Sequence, residues 1–380
     1  MQIPAAILWE PNTRWSVEEI TLDPPREGEV LIKLAASGLC HSDEHLVTGD
    51  LAPDPGWATA QGMERYPVIG GHEGAGEIVE VGPGVTRVRP GDHVALSFLP
   101  SCGRCPSCVV GRQQLCDRGM YLQGGRQLLD RTSRHHARGR DLGLMCLLGT
   151  FAPYTVVNED SCVVIEDDHP LELAALVGCG VTTGWGSAVY AAAVRAGETV
   201  VVVGVGGVGM SAVQGAAFAG ARHVVAVDPL AWKTDLALKL GATHTAMSMA
   251  EALPLVTELT RGRRADKAIL TVGLALGTHI AELMALVAKA GRAVVTAAGR
   301  ATDLDVKLNL VDLTMQRKEL VGCLFGNANA RVDIPRLLAL HREGRLKLDE
   351  LVTATYSLDQ VNEGYDDLRE GRNLRGLIRF

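Results

Sequence analysis

Residues 199–228 read TVVVVGVGGVGMSAVQGAAFAGARHVVAVD, and this stretch decides the fold. The valines after Thr199 form a buried-strand run, the glycines that follow open a turn, and the apolar run at 208–219 has the length of a helix. A second β-branched run, 223–227, ends at Asp228. Strand, glycine turn, helix and strand in this order predict one unit of a parallel, doubly wound α/β sheet. Gly204, Gly206 and Gly209 carry the G-x-G-x-x-G spacing, with Gly207 and Val208 inside it. There the loop offers backbone N–H groups and the positive end of a helix to a pyrophosphate. Asp228, about 20 residues further on, suits the ribose hydroxyls of a dinucleotide and repels a 2′-phosphate, which favours NAD over NADP. A hydropathy window also flags 199–221 as a membrane span. Gly204, Gly206, Gly207 and Gly209 interrupt it, so strand, turn and buried helix account for it better.

Working outward, the alternation continues with a helix at 230–240 and strands near 267–272 and 292–297. Beyond about residue 325 the pattern predicts a helix at 334–342 with Pro335 in its first turn, and a helical stretch at 358–370 after Ser357. Before about residue 180 the texture differs. Short alternating runs at 29–34, 77–81 and 93–98, broken by Gly and Pro, predict a barrel-like β domain. Two domains suit 380 residues. With 47% hydrophobic and 21% charged residues the chain has the composition of a soluble globular protein and not of a disordered one. A formal charge of -7 provides no basic field for nucleic acid, and 4% aromatics no base-stacking platform. The first residues lack a basic n-region, so a cytoplasmic protein without membrane attachment is expected. In such a reducing compartment the nine cysteines point to metal or catalysis before disulfides.

Cys102, Cys105, Cys108 and Cys116 stand in SCGRCPSCVVGRQQLC, within a lobe at about 100–118. Four thiolates on one short polar lobe can close a tetrahedral zinc site with no position left for water, which predicts a folding role. An iron–sulfur cluster shares such spacings and is the rival reading. A second set is dispersed: Cys40 in GLCHSDEH, His72 in GGHEGAG and Cys179 in GCGVTTGWGSA. Two thiolates and one imidazole leave a fourth position open, as in a catalytic zinc site. Asp43 and Glu73 supply carboxylates beside those positions, suited to orienting the ligands. Spacing alone leaves ordinary buried thiols and a core histidine equally open.

The three motifs in this order resemble the zinc-dependent medium-chain alcohol dehydrogenases over nearly the whole chain. GLCHSDEH, GGHEGAGEIVEVG, CGRCPSC, VGCGVTTGWGSAV, GVGGVG and AVDP all stand at compatible positions. Within that superfamily HSDEHLVTGD, SFLPSCGRC, GRQQLCD and LLGTFAPYTVV look most similar to the nitrosoaniline-dependent nicotinoproteins associated with mycofactocin. The resemblance implies a GroES-like catalytic domain at 1–180, a Rossmann domain at 181–325, and a segment at 326–380 that completes the catalytic domain. It implies two zinc ions per subunit, with Cys40, His72 and Cys179 on the catalytic one. By the same resemblance Ser42 takes the alcohol proton, and His45 is the far end of a relay through the nicotinamide ribose. His41, Lys233 and Arg375 become cofactor contacts, and Phe98 and Phe151 substrate-pocket positions. Phenylalanine is also a common core residue. Cys146, Cys162 and Cys323 match no ligand position.

The activity implied is reversible oxidation of a small alcohol to an aldehyde or ketone, with hydride passing to NAD. NAD would stay bound and be reoxidised by an external acceptor of mycofactocin type, in a homo-oligomer, dimer or tetramer, joined through the Rossmann sheet edge. A dehydrogenase with exchanging NAD and a thiol-linked formaldehyde dehydrogenase share these motifs. A non-catalytic NAD-binding regulator would not need the open zinc set. Residues 50–66 form a longer link than the family usually has, either a lid near the active-site mouth or a tolerated loop. The polar stretch 125–143 is expected to be an exposed basic loop, with His135 and His136 solvated and not a metal pair.

Overall fold

The computed structural model describes residues 1–52 and 64–380. The chain divides into two compact units, Met1–Cys179 with Asn329–Phe380, and Gly180–Ala328. Most of the long link at 50–66 falls outside the described residues.

The first unit is built on antiparallel strands. Its central strand, Glu29–Gly38, reads EVLIKLAASG and is buried along most of its length, because neighbours cover both its edges and its inner face. Gly74–Val81 pairs along one edge. The C-terminal strand Arg375–Arg379 pairs along the other, with Leu377 opposite Gly38. The last residues of the chain are thus an integral strand of the first unit. A second sheet pairs Gln2–Leu8 with Ser16–Leu22 and, across the other edge, with Val68–Ile69.

The second unit is a six-stranded sheet with parallel pairing throughout. Thr199–Val203 lies at its centre, with His223–Val227 and His244–Ala246 to one side and Ala265–Leu270, Val287–Val295 and Glu319–Gly322 to the other. The chain reverses its direction of travel beside Thr199–Val203, and α/β sheets bind ligands at the carboxyl ends of strands at such a point. The 199–221 run resolves into that strand, the glycine turn and the helix Gly207–Phe218. Among the described residues one helix, Leu171–Ala191, is long and apolar enough to cross a membrane, and 83% of its apolar window is buried inside the protein.

Two expectations need correction. The helix read at 334–342 begins earlier, at Ala330, so Pro335 lies inside it and not in its first turn. Asn329 precedes the helix in extended backbone, and the Asp333 carboxylate accepts from its N–H at 2.8 Å, a start signal the proline concealed. The stretch 125–143 is not a surface loop. His135–Ala137 joins the second sheet beside Ser16–Leu22, and Gln127, Ser133, Arg134 and His135 are buried. Only its tips, 129–132 and 138–141, are exposed. Arg134, one of the polar side chains that suggested solvent, is met internally and reaches Glu29, Asp130 and Thr132.

Candidate active site

Cys40 precedes the helix His41–Thr48, His72 follows the Val68–Ile69 strand, and Cys179 sits in a π-helical turn, Val177–Val181. Such turns widen the helix by one residue and recur at functional sites. Gly178 lets this one rest on the strand His93–Leu96, since a Cβ there would stand 2.2 Å from the Leu96 carbonyl oxygen. Folding thereby brings ligand atoms of Cys40, His72, Glu73 and Cys179 within 4.8 Å of one another, all four residues buried.

Asp43 is fully buried; its Oδ1 accepts from the Gly71 N–H at 2.8 Å and its Oδ2 stands 3.0 Å from His72 Nδ1. The carboxylate beside Nδ1 turns Nε2 toward the cluster, and among the described residues neither ring nitrogen, both buried, has a well-formed hydrogen bond. The Cys40 thiol is held well below the usual range by the hydrogen bond from Cys179, helped by the charges of His72 and Arg375 and opposed by burial. Two cysteines, a histidine with an unpaired inward nitrogen and a low-pKa thiol form a donor set that fits zinc.

Glu73 does more than the sequence suggested. Its carboxyl lies among the ligand atoms and is pushed up to about 8 by burial, against the Arg375 guanidinium that contacts it. Arg375 is therefore placed inside this site, buried against Glu73 and Cys40. Ser42 Oγ lies 3.8 Å from Cys40 Sγ, and His45 sits on the same helix, buried, with Nδ1 3.2 Å from Asp50 Oδ2. His41 is exposed at the first position of that helix. Half-buried Phe98 packs edge-on to His72 at 5.9 Å between ring centroids. Phe151 departs from its expected pocket role. It is 0% exposed, wedged between Trp15 and Tyr365, and serves the core. The sequence reading missed Asp50, which was taken only as the first residue of a long link; nothing in its spacing from His45 marks it.

The four-cysteine lobe folds around its own sulfurs, all within 4.8 Å of one another. Cys105 and Cys116 Sγ are 3.9 Å apart, against about 3.8 Å for tetrahedral thiolates on zinc at 2.3 Å. Backbone N–H groups of Cys105 and Cys102 point at the sulfurs of Cys102 and Cys116, as thiolates require. Arg87, Arg118 and Arg331 converge on Asp160, and Arg331 also donates to the Ser101 carbonyl, which ties the lobe to the unit's body.

In the second unit, the three motif glycines are required for different reasons. Gly204 has φ 85, a left-handed conformation; a Cβ on Gly209 would stand 1.9 Å from the Gly204 carbonyl oxygen; a Cβ on Gly206 would meet nothing of the described residues within 4 Å. The last leaves open space beside the N-terminus of Gly207–Phe218, as a cradle for a pyrophosphate needs. Asp228 is buried at the end of its strand, accepting from the N–H groups of Val205 and Leu230 at 3.0 Å each. Those two bonds hold the carboxylate against the glycine loop. Lys233, half-buried, follows in the first turn of the next helix, Ala231–Lys239.

Comparison with known proteins agrees with this geometry. The model of the alcohol dehydrogenase GroES-like domain matches residues 26–167, and that of the zinc-binding dehydrogenase matches residues 207–342. The chain is 50% identical over 380 residues to alcohol dehydrogenase B of Mycobacterium tuberculosis, covering 100% of this chain and 99% of that one. It is 51% identical over 379 residues to an NDMA-dependent alcohol dehydrogenase of Amycolatopsis methanolica, covering 100% and 99%. Among solved structures, a zinc-binding-domain alcohol dehydrogenase protein from Burkholderia ambifaria superposes with TM-score 0.90 at 31% identity, covering 100% of this chain and 99% of that chain. Benzyl alcohol dehydrogenase from Acinetobacter calcoaceticus gives 0.87 at 27%, with the same coverage.

Proposed function

The chain belongs to the zinc-dependent medium-chain alcohol dehydrogenase superfamily and is an oxidoreductase acting on alcohols; from that premise we propose that it binds two zinc ions and retains NAD through its catalytic cycle. The observation that carries the catalytic site is the convergence of Cys40, His72 and Cys179 with His72 Nε2 unpaired and buried. When bound, zinc supplies a Lewis acid that eases deprotonation of an alcohol hydroxyl, and NAD supplies the hydride acceptor.

The chain's own residues supply position and proton handling. Asp43 orients His72, and Phe98 lends an apolar wall beside it. Ser42 Oγ accepts the alcohol proton as its own hydroxyl proton passes on, and His45 moves a proton outward. Gly204, Gly206 and Gly209 shape the pyrophosphate cradle, and Asp228 selects NAD by its charge, with Lys233 and His41 as further cofactor contacts. Cys102, Cys105, Cys108 and Cys116 hold the structural zinc. The natural substrate is a small alcohol or its aldehyde, and the acceptor that reoxidises the cofactor is a redox molecule of mycofactocin type. We place the protein in the cytoplasm. A homo-oligomer is supported by the edge strand Glu319–Gly322 together with exposed Leu310, Val311 and Met315 just before it.

Retention of NAD draws support from the similarity to the NDMA-dependent relative. The test is to purify the protein without added cofactor, denature it and measure released nicotinamide. Near-stoichiometric NAD(H), with turnover that needs a nitrosoaniline and ignores added NAD, is expected. An empty protein that turns over steadily on added NAD would overturn retention and leave an ordinary dehydrogenase.

A further inference from the structure

We propose that Asp50 is a positioning residue for proton transfer at His45, an inference that rests on the role given to His45 above. The helix His41–Thr48 ends at Gly49, whose φ of 75 turns the chain back beneath the last helical turn. Asp50 Oδ2 is thereby brought 3.2 Å from His45 Nδ1 and accepts a hydrogen bond from Thr48 Oγ1 at 2.6 Å. The two side chains are 8% and 14% exposed, so their interaction is little screened by water.

Helix stability does not account for this placement. A carboxylate just beyond a helix C-terminus faces the negative end of the helix dipole, where it is disfavoured. On the helix it faces the imidazole of His45 and the hydroxyl of Thr48.

The chemistry follows from what a carboxylate can do. It only accepts hydrogen bonds, so His45 Nδ1 carries the proton and Nε2 presents its lone pair. When a proton is delivered, the donor O–H bond breaks, an Nε2–H bond forms, and the imidazolium has a carboxylate behind it. The Nε2 proton then passes to water and the neutral ring returns in the same tautomer. Asp50 takes up no proton in this sequence and no redox partner is involved. This is the orienting part that an acid plays behind a catalytic histidine.

The experiment compares the wild type, Asp50→Asn, His45→Gln and the double variant, measuring kcat and KM for alcohol oxidation, nicotinamide content after denaturation, and the thermal midpoint. Asp50→Asn is expected to lower kcat roughly tenfold to hundredfold with KM and cofactor content unchanged. His45→Gln should lose at least as much, and the double variant no more than His45→Gln alone, because the two residues act as one unit. An Asp50→Asn protein with wild-type kcat, or losses that multiply in the double variant, would overturn the proposal while the role of His45 stands. Wild-type kcat in His45→Gln would remove the role of His45 and that of Asp50 with it. If Asp50→Asn fails to fold, Thr48→Val reads the same pair by deleting one exposed hydroxyl. Its kcat should fall severalfold in the wild-type background and not in His45→Gln; no fall in either would overturn the proposal.

Discussion

Arg134 and Glu29 lie 105 residues apart in the chain and meet as a two-pronged ion pair, Nε to Oε2 at 2.8 Å and Nη2 to Oε1 at 2.7 Å. The arginine side chain is 0% exposed and the glutamate 2%. Glu29 also accepts from the Arg26 N–H, and Arg134 reaches Asp130 and Thr132, so the charges are paired and hydrogen-bonded on all sides. Breaking such a pair from one side leaves a buried charge uncompensated, at a cost of about 3–5 kcal/mol. Arg134→Met should therefore lower the unfolding midpoint sharply, and Glu29→Leu in the same chain should restore part of it. A single variant as stable as the wild type in a denaturant titration would contradict this.

The next residue is expected to cost the protein stability in acid. His135 is fully buried, and burial, with His136 and Arg134 adding charge repulsion, pushes it down to about 3. Its unfolded value is near 6.5. The unfolded chain therefore binds the extra proton between those values, and stability contributed by the neutral ring is complete above about pH 6.5 and lost as pH falls toward 3. Between pH 7 and pH 5 the loss from this group is about 2 kcal/mol. His135→Leu should flatten the pH dependence of the denaturation midpoint over that interval, and an unchanged slope would refute it.

If the two donor sets each hold a zinc ion, they are separable: Cys40→Ser or His72→Ala should remove one of the two proposed zinc ions and abolish alcohol oxidation, while the four-cysteine site stays filled. Cys116→Ser should remove the other and loosen the 100–118 lobe, read as new protease sensitivity there. Metal analysis checks both. Two zinc ions retained in His72→Ala would refute the catalytic assignment.

Two glycines in one motif should fail in different ways. Gly209→Ala drives a methyl group to 1.9 Å from the Gly204 carbonyl oxygen, so the second unit should be destabilised by about 1–3 kcal/mol. Gly206→Ala meets no atom of the described residues within 4 Å and should fold normally, yet its methyl occupies the approach to the cradle and should weaken binding of the proposed NAD. Thermal midpoint and released cofactor, measured on both, separate the two effects. A Gly206→Ala protein with full cofactor would show that the cradle is used differently.

What the linear order of residues determined here is whatever local spacing can encode. The Thr199–Val203 strand, the glycine turn and its helix follow from periodicity and from the backbone freedom of glycine, and they were legible within thirty residues. The four-cysteine lobe was legible for the same reason: its ligands stand within fifteen residues of one another in the sequence and cluster in the fold. The meeting of Cys40, His72 and Cys179 was legible only through likeness to a family, because residues so far apart converge by barrel and helix packing alone. Tertiary structure decided the rest. Arg134 and His135 look solvated in a run of polar residues, but a strand pairing carries them inward and long-range partners meet the arginine's charge. Phe151 became core because Trp15 and Tyr365 close over it. Asp50 reached His45 because a left-handed glycine reverses the chain after the helix. Burial and partnership are properties of what folds against a residue, and its neighbours in sequence do not carry that information.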